Sequence, residues 1–78
     1  MKHLRSAQHR ALIATIVQAR KAAGLTQRQL ASKLKRSNSF VWKIEAGERR
    51  VDLLEFIELA RCLGQDPLQM FARLLRER

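Results

Sequence analysis

Asn38, Ser39, Trp42 and Lys43 are the residues of this chain whose types and spacing could do chemistry. Steps of one and four residues put all four on one face of a helix. An amide can pair with adenine N6 and N7, an ammonium can donate to guanine O6 and N7, and a hydroxyl can take either part. The chemistry on offer is therefore recognition by hydrogen bonds. Trp42 beside them could stack on sugar and phosphate, pack on a neighbouring loop or meet a partner. Bond-making chemistry has no constellation to support it: there is no nucleophile with a base, no pair of carboxylates and no glycine-rich phosphate loop, so no enzyme is expected. His3 and His9 lie six residues apart with no Cys, Asp or Glu beside them, so neither a metal nor a cofactor is expected.

The charge distribution says what such a face would meet. Met1 to Ile44 holds ten Lys and Arg residues and no Asp or Glu, whereas Glu45 to Arg78 holds six basic residues and all seven acids, for a net charge of +9. A polycationic half points to a polyanion, and the near-neutral half is left for self-association. Lys2, Arg5 and Arg10, like Arg73, Arg76 and Arg78 on the tail, read as solubilising or loosely phosphate-directed. The lone Cys62 excludes an internal disulfide and reads as a small core or interface residue. Met1 to Arg10 lack the apolar run of a secretory signal, and no stretch approaches the roughly 18 to 20 apolar residues of a membrane span. A cytoplasmic protein that does not enter membranes is expected.

The elements that must position the face follow from apolar spacing and caps. Seventy-eight residues, 46% of them apolar, suit a single domain over 1–78. Tyr is absent and no alternating Val/Ile/Thr run occurs, so the expected fold class is all-α. A first helix runs from about Ser6 to Ala23 and stops at Gly24. Thr26 with Gln29 forms a capping-box pattern for a second helix, Gln27 to Leu34, with Leu30, Ala31 and Leu34 inward. Ser37 caps a third, Asn38 to about Ala46, with Val41 and Ile44 inward. Asp52 caps a fourth, Leu53 to Leu63, whose stripe is Leu53, Phe56, Leu59, Ala60 and Leu63. Asp66 and Pro67 start a fifth running to about Arg76. The first and last few residues are expected to fray.

Gly24 to Gly47 thus reads as two short capped helices joined by a turn of about three residues, with the unit spanning about 26–46. The Leu-Thr-Gln-x-x-Leu-Ala run at Leu25 to Ala31, together with Ser37, Val41, the Ile44-Glu45-x-Gly47 segment and Ala60 to Leu63, resembles the Cro/C1-type (XRE-like) helix-turn-helix regulators over about Ile13 to Phe71. The resemblance implies a five-helix, lambda-repressor-like DNA-binding domain. By position it implies base contacts from Asn38, Ser39 and Lys43. Backbone contacts would come from Gln27, Arg28, Lys35, Arg36, Ser37, Arg49 and Arg50. It also implies a structural salt bridge between Arg20 and Glu45. The chain departs from the family pattern in the turn, where Lys35 replaces the usual Gly and Arg36 a usual aliphatic residue. A non-Gly residue at positive φ costs about 1 kcal/mol, and Arg36 must turn its head outward.

With the core stripe of the fourth helix assigned, Leu54 and Ile57 are left over, and the fifth carries apolar residues nearly all round. Helices at about 53–76 are therefore expected to form a two-fold interface using Leu54, Ile57, Met70, Phe71 and Leu74; the competing expectation is that the fifth helix folds back and completes the monomer core. The leading function is a sequence-specific repressor or autoregulator that binds a palindromic double-stranded operator as a homodimer. The alternatives are an antitoxin or similar module that neutralises a partner such as a toxin, with DNA binding secondary, and sequence-independent nucleic-acid binding.

Overall fold

The computed structural model describes residues 6–76, which form five helices: α1 (Ala7–Ala22), α2 (Gln27–Leu34), α3 (Asn38–Glu45), α4 (Leu53–Cys62) and α5 (Pro67–Arg76). The expected fraying of the termini and the expectations for Lys2, His3, Arg5 and Arg78 concern positions outside the described residues. The all-α, five-helix expectation holds, and its boundaries shift by one residue at most.

Local chemistry explains each boundary. Thr26 Oγ1 accepts from the Gln29 backbone N–H while Gln29 Oε1 accepts from the Thr26 N–H, which closes both ends of a capping box. Asp52 and Glu55 repeat the device at α4. Asp66 Oδ1 accepts from Leu68 N–H at the start of α5, with Pro67 in the first turn. Ser37 departs from expectation. It stands at the N-cap of α3 without a side-chain capping bond, because its hydroxyl lies 3.0 Å from that of Ser39 instead.

The turn after α2 carries the one positive-φ residue other than glycine among the described residues, Lys35 at φ 58 and ψ 41. It ends α2 as a glycine would. Lys35 N–H donates to Ser32 O, and Arg36 N–H reaches back to Ala31 O. The left-handed conformation brings the chain round tightly enough to start α3 three residues later.

The core takes Ile16 and Ala19 from α1, Leu30 and Ala31 from α2, and Phe40, Val41 and Ile44 from α3. Phe56, Leu59, Ala60 and Leu63 of α4 and Met70 of α5 complete it. Ala31 is only 2% exposed; its small side chain lets α2 and α3 approach closely. Two expectations are corrected here. Leu53 is 69% exposed and not part of the α4 stripe; as the first residue of its helix it directs its side chain back past the end of the core. Met70 and Leu74 are buried within the chain at 0% and 9%, so they are unavailable for an interface. α5 folds back with these two inward, and Phe71 sets its ring edge-on to Phe56 with centroids 6.2 Å apart.

Replacing Lys35 by Gly tests the turn. Relief of the left-handed strain, about 1–2 kcal/mol per residue, outweighs the added backbone freedom of glycine, about 0.5–1 kcal/mol. Urea unfolding of Lys35→Gly is expected to show a gain of about 0.5–1 kcal/mol; a loss would mean that the Lys35 side chain makes a compensating contact.

Candidate nucleic-acid interface

α3 is amphipathic in a particular way. Phe40, Val41 and Ile44 are sunk into the core, which leaves Asn38, Ser39, Trp42 and Lys43 together in water. An isolated eight-residue helix is unstable in water, so its direction is set by what grips its two ends.

Glu45 grips the C-terminal end. Arg20 of α1 donates through Nε to Glu45 Oε2 at 2.7 Å and through Nη2 to Oε1 at 3.0 Å, and its Nη1 reaches Leu25 O at 2.9 Å. Gln27 Nε2 adds a third donor to Glu45 Oε1 at 2.7 Å. The paired side chains are only 12% and 7% exposed. Such a pair orients more than it stabilises, since desolvation offsets much of the attraction. The Gln27 amide, expected from its position to meet a phosphate, is here turned toward Glu45.

Phe40 and Glu55 grip the other end. Two guanidinium groups, Arg36 and Arg49, lie over the Phe40 ring, each 4.6 Å from its centroid. Arg49 makes a two-pronged pair with Glu55, Nη1 to Oε1 and Nη2 to Oε2, both 2.9 Å. Arg36 lies 3.6 Å from Glu55 and 3.5 Å from Glu58. Two of the four arginines expected at the DNA backbone, Arg36 and Arg49, are therefore engaged with carboxylates of α4. Arg36 does turn its head outward, but along the protein surface. The hydrogen bonds from Arg49 hold the Glu55 carboxyl below the usual carboxylate range, against the opposing effect of burial; the Asp52 N–H and the nearby guanidinium charges act in the same direction as Arg49.

Arg28, Lys33, Lys35, Lys43 and Arg50 remain exposed and outside any salt bridge among the described residues. Ser37 is exposed beside them, at the first turn of α3. These cations stand on α2, the turn after it, α3 and the loop that follows α3. Phe40 and Glu55 had not been singled out from the sequence. Glu55 was detectable there, since it stands three residues after the Asp52 cap and six after Arg49; Phe40 was not, because two apolar neighbours already gave α3 an inward face. Among the described residues no group of three or more His, Cys, Asp or Glu could hold a metal, and no helix is long and apolar enough to cross a membrane.

Comparison with known proteins agrees with this arrangement. Residues 3–74 match the family model described as a helix-turn-helix domain. A solved structure of an XRE-family like protein from Pseudomonas syringae pv. tomato str. DC3000 is similar to this chain with a TM-score of 0.87 and 42% sequence identity, over 95% of this chain and 90% of that one. No curated protein matches the chain.

The Glu55 cluster has a pH signature. A carboxyl whose folded value is depressed contributes stability that is present above its unfolded value, about 4.3, and is lost as pH falls through the folded value. Glu55→Gln is expected to be less stable than the parent at pH 7 in urea unfolding, with the gap closing as pH falls from about 5 toward 3. A gap that stays constant over that range would show that the Glu55 charge contributes nothing.

Proposed function

The chain belongs to the helix-turn-helix family of XRE-like DNA-binding regulators, and from that premise we propose that it is a sequence-specific repressor or autoregulator acting in the cytoplasm, which holds a palindromic double-stranded operator as a dimer and catalyses nothing. The observation that carries the reading is the face of α3. Asn38, Ser39 and Lys43 are exposed together, and the helix that bears them is gripped at both ends. In a major groove the Asn38 amide pairs with adenine N6 and N7, Lys43 donates to guanine O6 and N7, and Ser39 serves either base. Arg28, Lys35 and Arg50 meet backbone phosphate, with the Ser37 hydroxyl beside them. Phosphate contacts of this kind make affinity fall steeply with salt.

The dimer is supported by apolar surface left uncovered. Leu53, Leu54, Leu68 and Leu75 are each more than half exposed, Phe71 is 42% exposed and Ile57 is half-buried. A shallow groove bounded by Leu12, Val51, Leu53, Phe56 and Phe71 runs between the start of α4 and α5. Leu54, Ile57 and Phe71 thus stay as interface residues, joined by Leu53, Leu68 and Leu75. A two-fold pairing of this surface sets two recognition helices about 34 Å apart, one turn of B-form DNA.

Selection of bound sequences from a random duplex pool at about 150 mM salt, where non-specific binding is typically only 10⁻⁴ to 10⁻⁶ M, is expected to enrich an inverted repeat. On the enriched site Asn38→Ala and Lys43→Ala should each cost about 1–3 kcal/mol while leaving random duplexes nearly unaffected. Equal losses on both kinds of DNA would mean that neither residue reads a base.

A further inference from the structure

Trp42 is the largest side chain on the exposed face of α3, 47% exposed, and the function proposed above does not use it. At about 100° per residue, the direction midway among Phe40, Val41 and Ile44 points into the core, and the direction opposite falls between Ser39 and Trp42. Trp42 is therefore at the crest of the helix, flanked by Asn38 and Ser39 toward the N-terminus and by Lys43 toward the C-terminus. Among the described residues its indole has no hydrogen-bond, ring or cation partner. A helix seated in a groove by this face must bring Trp42 against the groove floor along with its neighbours.

The chemistry of the indole narrows what it meets there. It presents a wide apolar surface with one N–H donor and no acceptor. Base edges in the major groove are polar with one exception, the C5-methyl group of thymine. Lys43 and the nearby cations draw the face to a polyanion, which excludes an apolar or cationic surface as the first partner. Resting on the reading of the protein as a DNA-binding regulator, we propose that Trp42 is a specificity-determining residue that packs on thymine methyl groups in the major groove. Asn38, Ser39 and Lys43 read donors and acceptors; Trp42 reads the one feature of a base pair they cannot.

The proposal is tested on the enriched operator by replacing each thymine in turn with deoxyuridine, which removes the methyl group and keeps base pairing and hydrogen-bonding edges. With the parent protein, one or two positions in each half-site should lose about fourfold in affinity, the factor that follows from burying about one methylene-sized group. Trp42→Ala should bind the unmodified operator about ten- to a hundredfold more weakly, the range for losing a buried large apolar side chain, with an unchanged salt slope. It should also be indifferent to the same deoxyuridine replacements. Since Trp42 lies opposite the core, the variant keeps its fold, which thermal unfolding verifies. Trp42 is the sole tryptophan in the chain, so its fluorescence reports directly and should shift to the blue on the operator.

Deoxyuridine losses of the same size in Trp42→Ala as in the parent would overturn the proposal, because another residue would be reading the methyl. So would an unchanged affinity in the variant, the result expected of a tryptophan that seats a protein partner, and so would a loss equal on operator and random duplex, which is stacking on sugar and phosphate. A pool that yields no enriched sequence removes the regulator reading and this inference together; an enriched operator without coupling to Trp42 removes the inference alone.

Discussion

The direction of α3 depends on the carboxylate of Glu45. Its two oxygens take three donors from two other helices, two from Arg20 of α1 and one from Gln27 of α2, in a setting that excludes most water. Breaking such a pair at one end leaves an uncompensated charge and costs on the order of 3–5 kcal/mol, although the intact pair contributes little net stability. The bridge therefore selects one orientation. Core packing through Phe40, Val41 and Ile44 allows the helix to roll slightly; a two-pronged guanidinium pair does not. At the other end Arg36 and Arg49 both pack on the Phe40 ring and close on Glu55, which ties the turn and the recognition helix to α4.

Two carboxylates thus divide the basic residues into two groups with different work. Arg20, Arg36 and Arg49 neutralise acids and position elements, while Arg28, Lys33, Lys35, Lys43 and Arg50 keep their charge toward solvent. Geometry explains the division. The planar fork of arginine suits a paired carboxylate, whereas lysine on a flexible stem serves as a hydrated point charge. Lys21, Lys33, Lys35 and Lys43 all lie outside the described salt bridges, and every described salt bridge uses arginine.

Much of this was legible in the chain, for local reasons. Capping boxes act over three residues, so Thr26 with Gln29 and the Asp52 cap announced α2 and α4; Asp66-Pro67 announced α5 in the same way. The left-handed turn at Lys35 was visible only through the resemblance, because Lys35 stands where that family usually has Gly. What stayed hidden depends on which of several competing contacts a residue makes. Ser37 looked like a cap, yet its hydroxyl is drawn to Ser39, and a cap and a side-chain contact compete for one oxygen. Leu53 fits the α4 stripe by period but lies beyond the end of the core. Met70 and Leu74 could not be assigned to a core or an interface from α5 alone, whose apolar residues nearly encircle it; the packing of α1 and α4 makes that choice. The engagement of Arg36 and Arg49 was hidden for the same reason, since charge counts do not show which acids fold back onto which bases.

The claim that α3, held in this way, is what the protein presents to DNA is tested most directly by following backbone and side-chain NMR shifts of the full chain as a duplex carrying the enriched operator is added. The account predicts the largest changes at Asn38, Ser39, Trp42 and Lys43, smaller ones at Lys35 and Arg50, and undisturbed signals from Arg20 and Gln27. Changes concentrated on Leu53, Leu54 and Leu68 with α3 unmoved would contradict it.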